Sequence, residues 1–344
     1  MTTKSDPFPL INVLVTMPFT DAQLDKLRAV SPRFRVERQP GAWEKPVNDL
    51  LNPDVDILYT SNARFSLSQV PHLRWVQLHS AGIEHIIDSE LWRSDIPITN
   101  VSGIHAVPIA QYVWAQILAF AHRVPTMLRF QEKHEWAHNR WDNFAPRDIR
   151  GQTIALVGYG AIGREVARLA QAFGMRVLAT KRAVGDQLYR GWRMPGVGDN
   201  DGSIPERTYP PDALHDMLAA ADYIVVSAPL TPSTRHLIGA AELAVMKPTA
   251  FLVNIARGGL IDQAALIEAL QNGKIAGAGL DVFDPEPLPA DSPLWDMETV
   301  VISPHVSGFT LHYDDWATDL FAENLRRFLA DEPLINLVDR QAGY

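Results

Sequence analysis

Short apolar runs alternate with amphipathic stretches along nearly the whole chain, and this alternation carries the first information about its fold. Residues 11–16, 56–60 and 75–78 are compact apolar segments bounded by turn or polar residues. Such runs suit strands buried on both faces of a parallel sheet. Between the first two, residues 21–30 show helical spacing behind an Asp or Thr cap. A longer helical pattern over 104–130 leads away from this region and reads as the element joining two domains. From Arg150 the βα rhythm restarts. It predicts strands over 153–157, 176–179, 223–227, 251–254, 278–282 and 300–303, with helices over 162–173, 211–219, 240–246 and 263–272. Strand–helix alternation implies right-handed crossovers and parallel sheets, so the fold class is α/β. Between Val184 and Pro211 the rhythm gives way to Gly, Pro, Asp and Arg, which predicts a loop longer than most connections. A last helix is predicted over 314–329.

Length and composition bound the function. At 344 residues the chain exceeds the usual size of one core and suits two domains. Its richest apolar run, 112–121, is broken by Gln116 and falls short of the roughly eighteen residues a bilayer span needs. The first nine residues lack the basic-then-apolar order of a signal peptide. With no Cys there is no disulfide framework, thiolate zinc site or thiol nucleophile, and a cytoplasmic location is expected. The net charge of −9 comes without a basic block, which argues against a nucleic-acid partner.

The chemistry begins at Val157-Gly158-Tyr159-Gly160-Ala161-Ile162-Gly163. A Gly-x-Gly-x-x-Gly match is weak alone and strong where, as here, a predicted strand runs into a predicted helix. Gly158 allows the tight turn, Gly160 lets a pyrophosphate approach the backbone, and Gly163 brings helix and strand together. The N–H groups opening the helix then hold the pyrophosphate.

Three charged residues follow predicted strands: Arg257, Glu286 and His305. In open α/β sheets the carboxyl ends of the strands face the ligand crevice, so all three could converge on one substrate. Arg offers a planar fork to a carboxylate. His exchanges the proton that accompanies hydride transfer at a carbonyl. A neighbouring Glu would orient that ring and favour its protonated form. Taken singly, each has a plainer alternative: a helix-capping Arg, a buried structural imidazole, a solvated loop carboxylate.

These segments resemble the D-isomer-specific 2-hydroxyacid dehydrogenase family, in its glyoxylate/hydroxypyruvate reductase-like members. Leu252-Val253-Asn254-Ile255-Ala256-Arg257-Gly258 is similar to the family's segment with the catalytic arginine. Gly277-Ala278-Gly279-Leu280-Asp281-Val282-Phe283, with Glu286-Pro287, is similar to the segment with the catalytic glutamate, and Ser303-Pro304-His305 to that with the histidine. Asp222, Pro229-Leu230-Thr231-Pro232 and Met246-Lys247 also fall where family members have similar residues. The resemblance is specific from about Asn100 to His305 and looser at both ends. It implies a Rossmann doubly wound parallel sheet, residues 111–306, that binds NAD(P). This sheet would be inserted into a smaller flavodoxin-like α/β substrate domain made of 1–110 and 307–344. It further implies that Ser80, Ala81 and Gly82 present backbone amides to the substrate carboxylate, and that Asp281 receives the nicotinamide carboxamide. Local chemistry agrees for the first, since small residues past a strand end admit an anion. A simple turn is the alternative there, and a strand-end cap is the alternative for Asp281.

Two departures matter. Gln111 stands where relatives usually carry Glu near the interdomain hinge. The end of the second Rossmann strand reads Thr180-Lys181-Arg182, where an NAD enzyme usually places an acidic residue for the ribose hydroxyls. A hydroxyl and two cations suit a 2′-phosphate, so NADP is the expected cofactor, with NAD possible as a second. The Gly158, Gly160, Ala161, Ile162, Gly163, Pro229 and Ala256 segments complete the expected cofactor site. His134 and His138, four residues apart, could share a helix face, but no metal site is expected. Trp136 and Trp141 suit either a dimer interface or a cleft. The expected protein is a homodimeric enzyme that interconverts a small 2-keto acid and its D-2-hydroxy acid, closing about segments near 100–110 and Gly308. The alternative is a dinucleotide-sensing interaction protein like the family's co-repressors.

Overall fold

The computed structural model describes residues 9–41, 47–182 and 184–343. Residues 1–8, which bear most of the signal-peptide reading, lie outside them. The chain opens with β1 (Ile11–Val15), α1 (Asp21–Arg28), β2 (Phe34–Arg38), β3 (Ile57–Thr60), β4 (Trp75–Leu78), α2 (Glu90–Arg93) and β5 (Ile98–Thr99). Three helices follow, α3 (Ala106–Ala121), α4 (Val124–Glu132) and α5 (Arg140–Phe144). Then come β6 (Thr153–Val157), α6 (Ala161–Ala172), β7 (Arg176–Thr180), β8 (Arg207–Tyr209), α7 (Leu214–Ala220), β9 (Tyr223–Val226) and α8 (Ala240–Val245). The chain ends through β10 (Phe251–Asn254), α9 (Gln263–Gln271), β11 (Gly277–Leu280), β12 (Val300–Ile302) and α10 (Tyr313–Leu329). It divides into two compact units: the described residues of Met1–Ile104, Arg190–Trp192 and Thr310–Tyr344, and those of His105–Tyr189 and Arg193–Phe309.

The first unit holds a five-stranded parallel sheet in the order β2-β1-β3-β4-β5, the flavodoxin-like order. Two of its strands escape the apolar pattern. β2 buries only Phe34 and Val36 between exposed charges, as suits a half-solvated edge, and β5 is two residues long. α1 starts at a capping box in which Thr20 and Gln23 satisfy each other's backbone N–H groups. Its buried Leu24 and Leu27 join Trp75, Tyr59, Phe19 and, from α10, Leu320 and Phe321 in one core. The polar groups buried there are paired: Trp75 Nε1 donates to Thr99 Oγ1 at 2.8 Å, and Thr99 donates on to Gln77 at 2.7 Å.

The second unit holds a seven-stranded parallel sheet, β8-β7-β6-β9-β10-β11-β12. Numbered from β6, its order is 3-2-1-4-5-6-7, the doubly wound arrangement with its switch point between β6 and β9. One face packs against α7, α8 and α9 through Leu214, Met217, Leu218, Leu243, Leu266 and Leu270. The other packs against α3 and α6 through Ile109, Val113, Ile117, Val166 and Ala170. The pattern read as one helix over 104–130 is two helices. α3 ends at Ala121, Arg123 takes a left-handed φ of 58°, and Pro125 sits in the first turn of α4, where a missing N–H costs nothing. α3 is therefore core structure of the second unit. The region read as a loop over 184–211 contains β8, which pairs with β7. Its three residues are too few to show a period against the flanking Gly and Asp. His134 and His138 lie between α4 and α5, not on a common helix face.

Candidate active site

The glycine loop fits the demand made on it. Gly158 has φ +103°, and a Cβ there would lie 2.8 Å from Ala228 N. A Cβ on Gly163 would lie 2.4 Å from the Gly158 carbonyl oxygen, so only glycine lets α6 sit this close to β6. Gly160 is exposed and caps α6 without a side-chain bond. The N–H groups of Ala161 and Ile162 meet no acceptor among the described residues. An uncapped helix start beside a strand end receives a pyrophosphate, so these residues fit a dinucleotide. Pro229 and Ala256 stand beyond the ends of β9 and β10, on the same edge of the sheet.

At the end of β7, Thr180 is nearly buried and its hydroxyl accepts the Gly158 N–H at 3.0 Å, bracing the turn. Lys181 donates to the Asp186 carbonyl, and Arg182 is exposed. The segment after β7 is fastened to α6 by buried charged side chains of that helix. Arg164 is 1% exposed; it donates to the carbonyls of Gln187, at 2.6 Å, and Asp199, and stacks on Tyr159. Tyr159 donates to the Asp199 carboxylate, and Glu165 accepts from Gly198 N at 2.7 Å. Burial and the Asp199 carboxylate push the Tyr159 phenol far above its usual range. An Arg-Glu pair directly after the glycine motif was the available signal, but its partners lie over twenty residues away.

Arg257, Glu286 and His305 follow the carboxyl ends of β10, β11 and β12. Asn254 shapes the first turn by donating to the Arg257 carbonyl at 3.0 Å and accepting from Ala256 N at 3.2 Å. A Cβ on Gly258 would lie 1.9 Å from the Phe283 backbone, so this glycine lets the Arg257 turn and the Glu286 turn touch. Glu286 Oε1 accepts from Phe283 N at 2.9 Å, and Oε2 meets His305 Nδ1 at 2.9 Å. With Nδ1 donating to the carboxylate, Nε2 is left as the exchangeable nitrogen, without a partner among the described residues. His305 itself takes a left-handed φ of 54°, a costly conformation for a non-glycine residue and one that recurs at functional sites. Asp281 holds it there: its carbonyl accepts the His305 N–H at 2.9 Å. Its fully buried carboxylate accepts from Ser303 Oγ, Val306 N and Ser307 N. The structure thus places Asp281 as the cap of the histidine turn. Tyr112, hydrogen-bonded to Ser303 and Gln116, extends this support and was not foreseen from sequence.

His105 was also missed. Burial, reinforced by the Arg257 charge, lowers its pKa to about 4. The unfolded chain therefore takes up a proton near the ordinary value of about 6.5 that the folded chain refuses. Stability should be full above that pH and fall as pH drops toward 4. Urea midpoints across this window should decline in the wild type and flatten in His105→Gln; parallel profiles would remove His105 as the cause.

In the first unit, Ser80, Ala81 and Gly82 follow β4 as expected, and Ser80 Oγ donates to the Gly82 carbonyl at 2.7 Å. Their three N–H groups meet no acceptor among the described residues.

Comparison with known proteins agrees with this geometry. Residues 114–307 match the NAD binding domain of the D-isomer specific 2-hydroxyacid dehydrogenases. The chain belongs to that family. It is 34% identical to a glyoxylate reductase of Thermococcus gammatolerans, over 96% of each chain. Among solved structures, it is similar to a D-isomer specific 2-hydroxyacid dehydrogenase family protein of Aeromonas salmonicida (30% identity, TM-score 0.78, covering 96% of this chain and 99% of that one). It is also similar to a family member of Xanthobacter autotrophicus Py2 in complex with NADPH and MES (28% identity, TM-score 0.76, covering 96% and 100%). The protein is accordingly an NAD(P)-dependent D-2-hydroxyacid dehydrogenase, with the two parallel sheets of that fold. No helix among the described residues is long and apolar enough to cross a membrane.

Proposed function

We propose that this dehydrogenase reduces a small 2-keto acid such as glyoxylate, prefers NADPH, and works through Arg257, His305 and Glu286. The observation that carries the reading is the 2.9 Å contact of Glu286 with His305 Nδ1, which leaves Nε2 to serve the substrate. The Arg257 guanidinium grips the substrate carboxylate and polarises the carbonyl. The amides of Ser80, Ala81 and Gly82 share the carboxylate. When bound, the dinucleotide supplies a hydride to C2 of the keto acid. His305 gives its Nε2 proton to the carbonyl oxygen, and Glu286 offsets the charge that the ring carries beforehand. Asp281 keeps the ring in place; its enclosed carboxylate favours that part over direct contact with the nicotinamide. A cytoplasmic homodimer completes the proposal. Met127, Leu128, Trp136 and Trp141, on and between α4 and α5, are exposed large apolar side chains, which favours a second copy as their cover.

NADPH preference rests on Thr180-Lys181-Arg182, which lacks the acidic residue that repels a 2′-phosphate, and finds support in the NADPH complex of the Xanthobacter relative. The expected result is turnover of glyoxylate or hydroxypyruvate with kcat/KM higher for NADPH than NADH. A charged hydrogen bond contributes about 1.5–3 kcal/mol, so Lys181→Ala/Arg182→Ala should lose roughly tenfold or more of that preference at low salt. An unchanged ratio would move the phosphate site elsewhere. Dinucleotide binding without turnover of any 2-keto acid would favour a sensor.

A further inference from the structure

The three unpaired amides at Ser80, Ala81 and Gly82 are aimed by their surroundings. In a trans peptide the carbonyl of one residue and the N–H of the next point in opposite directions. Each of the three peptide planes has its carbonyl tied down. The His79 carbonyl accepts from Tyr313 Oη at 2.6 Å, the Ser80 carbonyl from Val101 N at 3.2 Å, and the Ala81 carbonyl from Asn100 Nδ2 at 3.1 Å. Each of the N–H groups of Ser80, Ala81 and Gly82 therefore points away from the tied carbonyl of its own peptide. Successive amides presented in this way form an anion-binding concavity.

The ties are themselves fixed. Tyr313 opens α10, and its ring packs on His79 with centroids 4.8 Å apart. The His79 imidazole sits between Tyr59 Oη, 2.8 Å from Nδ1, and the Asp314 carboxylate, 3.4 Å from Nε2. Asn100 is 6% exposed, and its Oδ1 accepts from Ser102 N at 3.0 Å, which leaves Nδ2 only one way to face.

We propose that Tyr313 and Asn100 are positioning residues for substrate recognition: they act through the backbone of 79–82 to set its affinity for a carboxylate. The proposal rests on the reading of the chain as a 2-keto acid reductase whose Ser80, Ala81 and Gly82 amides meet the acid group. Ground-state binding of the carboxylate is their contribution, so their loss falls on KM. The proton and hydride steps stay with the groups of the other unit.

The test compares wild type with Tyr313→Phe, which keeps the ring and removes only the hydroxyl, and with Asn100→Ala. At saturating dinucleotide, KM for glyoxylate should rise about five- to tenfold, the worth of one neutral hydrogen bond. Ki for oxamate, a non-reacting carboxylate analogue, should rise by the same factor. Both kcat and the KM for dinucleotide should stay within about twofold, which a general loosening of the fold would not allow. The proposal is overturned by unmoved KM and Ki in the folded variants, or by kcat and cofactor KM moving with them. If Tyr313→Phe alone folds, its values decide. A wild type that reduces no 2-keto acid overturns the functional reading and this inference together. A wild type that reduces glyoxylate while its variants bind oxamate unchanged overturns this inference alone.

Discussion

Arg257→Lys should lower kcat/KM for the keto acid a hundred- to thousandfold although it conserves charge. Removing one preorganised donor to a developing oxyanion costs about that much. A lysine cannot restore it, because an ammonium is a point charge and a guanidinium is a planar fork. The surroundings make the position exacting. Asn254 fixes the Arg257 carbonyl, Gly258 is jammed against Phe283, and Nη1 is held by the Ala256 carbonyl at 2.7 Å. With one edge of the fork tied to the backbone, the rest of the guanidinium is oriented before substrate arrives, an advantage a flexible lysine forfeits. The substitution carries its own control. His105 feels the positive charge of Arg257, and lysine keeps that charge, so the loss of stability toward acid should persist while activity falls. Steady-state kinetics within threefold of wild type would take Arg257 out of the substrate site.

What the sequence made legible was whatever repeats at short range. β6 through the glycine loop to α6 is one contiguous pattern, and its boundaries moved by a residue at most between expectation and structure. Arg257, Glu286 and His305 were singled out because each stands just past an apolar strand, and the topology of a parallel sheet puts such positions on one edge. The misses have physical causes too. β2, β5 and β8 are edge or very short strands with too few buried positions to display a period. The break between α3 and α4 depends on one left-handed residue, Arg123, within an otherwise continuous helical pattern. Arg164 and Glu165 were not singled out, because the groups that bury them, Gln187, Gly198 and Asp199, come from a segment with no pattern of its own. Tyr112, His105 and Tyr313 matter through contacts that hydropathy does not encode.

The His305 and Glu286 substitutions should behave as one unit. General acid–base catalysis contributes about a hundred- to ten-thousandfold, and His305→Gln should lose most of that in the reduction direction. Glu286→Gln should lose less, roughly ten- to a hundredfold, the worth of a hydrogen bond between charged groups. Its effect has a definite chemical form. The Phe283 N–H donates to Oε1 of Glu286 at 2.9 Å, so a glutamine there must keep its carbonyl oxygen at that position and turn its NH2 toward His305. An amide donor can serve only the unprotonated Nδ1, so it disfavours the imidazolium that the carboxylate supports. Reduction, which starts from the imidazolium, should therefore slow. Oxidation needs a bare Nε2, and a ring whose Nδ1 accepts from the glutamine amide carries its proton on Nε2, so oxidation should slow as well. Because Glu286 acts through the ring, the double variant should be no worse than His305→Gln alone. A double variant that multiplies the two single losses, or a Glu286→Gln variant as fast as wild type in both directions, would mean that the 2.9 Å contact does not carry the proton chemistry.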